Sequence, residues 1–226
     1  MRVVITGANR GLGFALVDAC LKRGYDVYAC YRKDPGKLST LHSKKLMRIQ
    51  IDVTDASSLS VFQKRIQDHH ETIDVLINNA GVLNGRDDRV EAIEEQDMLT
   101  AFQVNALGPL LTVKHLLKHM GESAEKRIIN MSSNAASLTH AYAPDYAYGM
   151  SKVALNMFTE KLKKEVEGRG YHVYSVHPGW VQTDMGGAAA DISATESAEA
   201  IIQHFIETTP TGPHAFYDYQ GQPMDL

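Results

Sequence analysis

The fold this sequence predicts is a doubly wound parallel α/β sheet of about seven strands, with helices on both faces. Three observations predict it. Short apolar runs alternate with segments whose apolar residues recur at helical spacing along the whole chain. Such strand–helix alternation specifies a parallel sheet, and right-handed crossovers wind helices onto both of its faces. No internal repeat, low-complexity tract or linker interrupts the pattern, so residues 1–226 read as one domain.

The elements follow in order. Arg2–Thr6 reads as a buried strand (Val3, Val4, Ile5), followed by a glycine-rich turn and a helix from about Gly11 to Arg23. That helix carries Leu12, Ala15, Leu16 and Ala19 on one stripe, and Gly24 closes it. Asp26–Tyr31 is the second strand, and Asp34-Pro35-Gly36 begins a loop and short helix. Leu46–Ile51 is the third strand, after which Thr54 or Asp55 caps a helix to about His69. Ile73–Asn78 is apolar almost throughout, as a strand covered on both faces should be. One long helix is expected over Glu95–Met120, a fifth strand over Arg127–Met131, and a second long helix over Tyr146–Glu167. His172–Val176, a short helix near Thr195–Ile206 and a strand near His214–Tyr217 complete the reading.

The totals bound the function. With 226 residues, 44% hydrophobic and 22% charged, the chain can bury a sizeable core and has no disorder signature. A net charge of −4, a pI near 6.2 and the absence of any basic run argue against nucleic acid or an anionic membrane as partner. No apolar run approaches membrane-spanning length. The first strand begins at Arg2, so no targeting segment is expected ahead of it. Cys20 and Cys30 fall in a predicted helix and strand with neither disulfide nor metal spacing, which fits a reducing cytoplasm and no metal.

Two local patterns carry chemistry. The turn after the first strand reads Thr6-Gly7-Ala8-Asn9-Arg10-Gly11-Leu12-Gly13. Glycines let backbone approach a pyrophosphate, and the helix beginning at Gly11 offers free N–H groups and its positive dipole end. The end of the second strand, Tyr31-Arg32-Lys33, holds no acid until Asp34, and Arg10 adds a further cation. Cations without a carboxylate there favour the 2′-phosphate of NADP over the bare ribose of NAD, solvated surface charge being the plainer alternative. Asp52-Val53, after the third strand, suits either an adenine amino group or the cap of the next helix.

The second pattern is Tyr148-Gly149-Met150-Ser151-Lys152. A spacing of four stacks two side chains on one helical face. An ammonium about 4 Å from a phenol, at an effective dielectric of about 20, favours the phenolate by roughly 4 kcal/mol. That would draw a phenol of pKa ~10 toward its working pH.

Thr6–Gly13, Asn78-Asn79-Ala80-Gly81, Asn105, Ser132-Ser133 and Tyr148–Lys152 occur in order, each at the carboxyl end of a predicted strand or on the helix after it. Together they closely resemble the short-chain dehydrogenase/reductase family over essentially the whole chain. His177-Pro178-Gly179-Trp180-Val181-Gln182-Thr183-Asp184-Met185-Gly186-Gly187 resembles its carbonyl-reductase branch. The resemblance implies a Rossmann-type fold and an NADPH-dependent reductase of aldehydes, ketones or quinones. It implies that Gly7, Gly11 and Gly13 frame the pyrophosphate, with Asn9, Arg10 and Leu12 filling the loop and Arg32 near the 2′-phosphate. It further implies that Asp52 and Val53 hold adenine and that Asn79, Ala80 and Gly81 line the ribose side. Pro178, Gly179 and Val181 would contact the nicotinamide, and Thr183 the phosphate side. Tyr148 becomes the catalytic acid/base, Lys152 its electrostatic partner and ribose ligand, Ser133 the carbonyl-polarising hydroxyl, and Asn105 the holder of a water linking Lys152 to solvent.

One departure concerns the serine. The family's catalytic serine usually lies thirteen residues before the tyrosine, which here is Ala135; Ser133 is fifteen before and Ser137 eleven. Ser133 is preferred because it directly follows the fifth strand, with Ser137 left as the alternative. Tyr146 lacks a lysine four residues on and reads as a lining or packing residue. Leu83, Asn84, Tyr142, Trp180 and Met185 are candidate pocket residues that could equally be core, with a substrate loop near 185–206 and a mobile lid over Gly186–Ala190. His177 reads as structural and His69-His70 as a solvated helix end. Leu110, Leu111, Val113, Leu116 and Leu117 suggest a homodimer or homotetramer through the two long helices, or a buried helix in a monomer. The competing functions are an oxidative alcohol dehydrogenase, a pterin reductase, and a dinucleotide-binding signalling protein without turnover.

Overall fold

The computed structural model describes residues 1–86, 89–121 and 126–226. Strands β1 (Arg2–Ile5), β2 (Asp26–Tyr31), β3 (Leu46–Gln50), β4 (Val75–Asn78), β5 (Lys126–Met131) and β6 (Tyr171–His177) form one sheet with a late strand, β9 (Phe216–Asp218). Their order is β3-β2-β1-β4-β5-β6-β9, with every pairing parallel. The winding reverses between β1 and β4, which opens a crevice beyond the carboxyl ends of those strands. A separate two-residue pair, β7 (Val181–Gln182) with β8 (Ile192–Ser193), was not foreseen from the sequence.

Alternating residues of the strands feed two cores. Val3, Ile5, Ile77 and Ile129 meet α1 (Gly11–Lys22), α6 (Ala194–Ile202) and the π turn after it (Gln203–Glu207) through Leu16, Ile201 and Phe205. Val4, Leu76 and Ile128 meet α2 (Ala56–Asp68), α4 (Gly108–Leu116) and α5 (Tyr146–Glu165) through Phe62, Leu116 and Leu162. Both faces of each central strand are therefore dry, the reason these strands read as continuous apolar runs.

The long helix expected over Glu95–Met120 is interrupted. It runs as α3 (Glu95–Phe102), a π turn over Gln103–Leu107 in which the Gly108 N–H reaches the Gln103 carbonyl, and then α4. Pro109 has no N–H to give the preceding turn, so the ladder loses a rung there and widens. Of Leu110, Leu111, Val113, Leu116 and Leu117, only Leu110 is exposed; Val113 and Leu116 are buried, and Leu111 and Leu117 pack against the core. These five are mostly core.

Asp55 caps α2, its side chain accepting from Ser57 N at 2.8 Å. Cys20 and Cys30 are free and buried, and burial pushes the Cys20 thiol up to about 12. No described helix is long and apolar enough to cross a membrane.

Candidate active site

A cavity of about 1120 Å³ lies along the crevice. It is lined by every residue singled out above for cofactor or catalysis except Asn105: Gly7, Asn9, Arg10, Gly11, Leu12, Gly13, Arg32, Asp52, Val53, Asn79, Ala80, Gly81, Ser133, Tyr148, Lys152, Pro178, Gly179, Val181 and Thr183. Residues up to 176 positions apart thus share one wall system, because strand ends from the whole sheet converge there.

The glycine turn is a backbone cradle. Gly7 has φ +63, and a Cβ on it would come within 2.8 Å of Ala80 Cα. On Gly13 a Cβ would stand 2.2 Å from Gly7 O and 2.6 Å from Asn79 Nδ2. Asn79 clamps the turn, donating from Nδ2 to Thr6 O and Gly7 O at 3.0 and 3.1 Å, while Thr6 Oγ1 accepts from Asn79 N and Ala80 N. The Asn79 amide is therefore a support of the cradle, and Thr6 is an organiser that sequence reasoning missed. Unlike α2 and α6, α1 starts without a side-chain cap, so its first N–H groups face the cavity end of the turn unsatisfied by side chains.

After β3, Asp52 Oδ1 accepts from Thr54 N and Thr54 Oγ1 at 2.9 and 2.7 Å, while Asp55 caps α2. Arg32 and Lys33 are exposed at the rim. Asp34, the acid nearest, uses Oδ1 to accept from Gly36 N and its carbonyl to accept from Asn9 Nδ2. Arg10 differs from expectation. It is not a free cation, since its Nη1 pairs with Asp184 Oδ2 at 2.7 Å across the cleft.

Ser133 leaves the end of β5 with 7% exposure and caps a 3₁₀ turn over Asn134–Ala136; its Oγ accepts from Ala135 N at 3.2 Å and donates to Asn134 Oδ1 at 3.1 Å, and it lines the cavity with Tyr148. Ser137 is buried, accepts from His140 N, and does not line the cavity, whereas Ser133 does. Lys152 is 4% exposed and donates from Nζ to Met131 O at 2.6 Å.

The expected acidification of Tyr148 is not what this geometry produces. Burial pushes the phenol up to about 12, with the Ser133 hydroxyl opposing. The Lys152 ammonium stands 5.4 Å from the ring centroid and faces the Met131 carbonyl, so desolvation outweighs it. Burial also pulls Lys152 down to about 8. Among the described residues that neighbour the phenol, Asp145 raises it and Arg86 lowers it.

Asn105, in the π turn, does not reach the cavity with its side chain. Its Nδ2 donates to Val82 O and Ser151 Oγ, and its Oδ1 accepts from Val82 N, leaving the amide fully engaged. Asn84 likewise donates to Asp97 Oδ1. Tyr142, Trp180, Met185 and Leu83 do line the cavity, and Tyr146 does not. The lid is held from both sides: Arg86 donates to Met185 O at 2.8 Å, and Trp180 Nε1 donates to Gly186 O at 2.8 Å. His177 lines the cavity beside Pro178; burial lowers it to about 4, with Asp218 opposing, so it is neutral at physiological pH. Sequence reasoning missed Asp218, Tyr219 and Met224, for which no local signal exists.

A profile of the short chain dehydrogenase family matches residues 1–197. The chain belongs to the short-chain dehydrogenase/reductase family. It is 37% identical over 150 residues to the C-signal protein of Myxococcus xanthus, covering 66% of this chain and 90% of that one. Among solved structures it superposes on the carbonyl reductase Sniffer of D. melanogaster with TM-score 0.92 at 28% identity, covering 100% of this chain and 99% of that one. It superposes on the NADPH-bound carbonyl reductase from chicken fatty liver with TM-score 0.91 at 28% identity, covering 100% and 98%. As a member of the short-chain dehydrogenase/reductase family, the chain is an oxidoreductase whose structural neighbours include carbonyl reductases.

Proposed function

We propose that the chain, acting over residues 1–226 as one dinucleotide-binding domain, is an NADPH-dependent reductase of aldehydes, ketones or quinones. The observation that carries this reading is that Ser133, Tyr148 and Lys152 line one cavity together with the glycine turn Gly7–Gly13. The residues present fit a dinucleotide. Glycine at 7 and 13 lets the turn pack its backbone against Ala80, Asn79 and Gly7 O, where a Cβ would clash, and the start of α1, without a side-chain cap, offers N–H groups to the phosphates.

Gly7, Gly11 and Gly13, with Asn9, Arg10 and Leu12, hold the pyrophosphate. Asp52 and Val53 hold adenine, and Ala80 and Gly81 pack along the ribose. Arg32, helped by Lys33, receives the 2′-phosphate; the Asp34 carboxylate is engaged in its own turn, so no acid competes for a ribose hydroxyl. Support comes also from the chicken liver neighbour, whose structure contains NADPH. Pro178, Gly179, Val181 and Thr183 position the nicotinamide.

When bound, the nicotinamide supplies hydride to a carbonyl carbon. Tyr148, kept protonated by burial, gives its hydroxyl proton to the oxygen that gains charge, and Ser133 shares that charge by a hydrogen bond. At neutral pH the phenol carries the proton that reduction consumes. Lys152 binds the nicotinamide ribose and returns the proton to the phenol. A water at Asn105 falls to its backbone, since the amide is engaged.

Exposed Leu99, Leu107, Leu110, Met150 and Met157 on α3–α4 and α5 suit a homodimer or tetramer. The buried, unpaired thiols fit a cytoplasmic protein. NADPH oxidation by purified protein with a panel of aldehydes, ketones and quinones tests the reading. Turnover is expected with at least one class. Cofactor binding without turnover across the panel, and without alcohol oxidation in the reverse assay, would replace it with a dinucleotide-responsive binding protein.

A further inference from the structure

The last residues of the chain form a built wall of the cavity, and we propose that Met224 on this wall sets the length of the substrate. This inference rests on the carbonyl-reductase reading and deepens it: the substrate is a carbonyl borne on an extended apolar or aromatic body that runs from Tyr148 toward Met224.

A terminal segment is ordinarily frayed unless it is tied down. This one is tied at every step. β9 ends at Asp218, whose Oδ1 accepts from both Gln220 N and Gln222 N at 2.9 Å and so turns the chain back. Asp218 N then donates to Gln222 O, Pro223 bridges Tyr217 in antiparallel fashion, and Met224 N donates to Phe216 O at 3.0 Å. The tail is thus an added edge on the last strand of the sheet. Beyond it, the Leu226 carbonyl accepts from Thr139 N at 3.1 Å and Thr139 Oγ1 at 2.8 Å, which joins the tail to the loop between β5 and α5.

Between these anchors, Met224 lines the same cavity as Tyr142, Tyr148, Trp180, Met185 and Tyr219. Tyr142, Trp180 and Met185 are 50%, 49% and 38% exposed, so the mouth is rimmed by apolar and aromatic surface without an occupant of its own. A flexible thioether in the lining of such a slot fills what the substrate leaves. Because backbone bonds and the Thr139 bonds hold the tail, changing the Met224 side chain alters the depth of the slot without releasing the segment.

The chain's single tryptophan, Trp180, lines the same space, so its fluorescence reports occupancy without any turnover. Benzaldehyde and 4-phenylbenzaldehyde are titrated against wild type, Met224→Ala and Met224→Trp, with circular dichroism confirming the fold of each. Met224→Ala is expected to shift the affinity ratio toward the longer aldehyde by about tenfold, and Met224→Trp to shift it about as far the other way, the scale of one or two methylenes in an apolar pocket. Thr139→Val, which removes one anchor and leaves Met224 intact, shifts the ratio in the same direction as Met224→Ala but by less, and covers the case in which one substitution at 224 impairs folding. Ratios within about twofold of wild type in the folded variants, a shift of the same sign for alanine and tryptophan, or no quenching by either aldehyde overturns the proposal. Should the wild-type protein bind the aldehydes and fail to reduce them with NADPH, the carbonyl-reductase reading falls while the ratios still decide the role of the wall.

Discussion

The two ends of the cavity are built in different ways. The phosphate end is made of backbone: a turn whose glycines admit no Cβ, the open start of α1, and the Asn79 and Thr6 bonds that hold the turn in shape. The end proposed for the chemistry is made of side chains from separate segments, with Ser133 from the end of β5, Tyr148 and Lys152 from α5, Trp180 and Met185 from the segment after β6, and Met224 from the tail. A backbone site depends on a short contiguous stretch, and its demands appear as glycines at fixed spacing. A side-chain site depends on how distant elements stack, and its electrostatics depend on burial that no local spacing reports.

The largest effect expected from pulling the two ends apart is at Tyr148. Tyr148→Phe removes the proton donor and leaves the glycine cradle untouched. Turnover should fall by about 10²–10⁴-fold while NADPH affinity, measured by fluorescence titration, stays the same. Near-normal turnover would take Tyr148 out of the mechanism and dissolve the distinction between the two ends.

The converse change acts at the adenine rim. Arg32→Asp leaves Ser133, Tyr148 and Lys152 in place and replaces a cation by the acid that a ribose hydroxyl prefers. The NADPH-to-NADH ratio of kcat/KM should drop by roughly 10- to 100-fold, the scale of one charge-assisted hydrogen bond. Arg10 is already paired with Asp184, so Arg32 and Lys33 carry this preference. An unchanged ratio in competition kinetics would remove the 2′-phosphate assignment.

The smallest effect tests whether the chemical end is held at a cost to stability. Lys152 is pulled down from 10.5 to about 8 by burial. The folded protein therefore binds fewer protons than the unfolded chain between those values, and the buried ammonium destabilises the fold by on the order of 3 kcal/mol below pH 8. That cost fades as pH rises from 8 to 10.5. Lys152→Met, which also forfeits the bond to Met131 O, should raise stability by about 1–2 kcal/mol at pH 7 and lose that advantage by pH 10 in urea unfolding. A variant less stable than wild type at pH 7 would mean that the Met131 bond outweighs desolvation.

Much of this was legible in the chain. The seven-strand sheet with helices on both faces, the cradle, and the meeting of Ser133, Tyr148 and Lys152 in one cavity follow the sequence reading, because strand ends of a doubly wound sheet must face one crevice. Three things were not. The single helix expected over Glu95–Met120 is split by a π turn, although Pro109 was there to signal it. The apolar excess of that helix divides between core (Val113, Leu116) and surface (Leu99, Leu107, Leu110), since a leucine looks the same in sequence whether it faces a sheet or solvent. The phenol of Tyr148 is raised rather than lowered, because four-residue spacing places the two side chains on one face without fixing where the ammonium points.

Local order therefore determined what needs only neighbours in the chain: alternating elements, a turn no side chain can enter, and a tyrosine and lysine on one helical face. The tertiary structure alone decided what depends on distant groups. It set the Arg10–Asp184 bridge across the cleft, the tail that carries Met224 into the cavity, and the dry surroundings that shift Tyr148 and Lys152 in opposite directions. The physical reason is that desolvation and charge pairing act through space, and the groups responsible lie far apart along the chain.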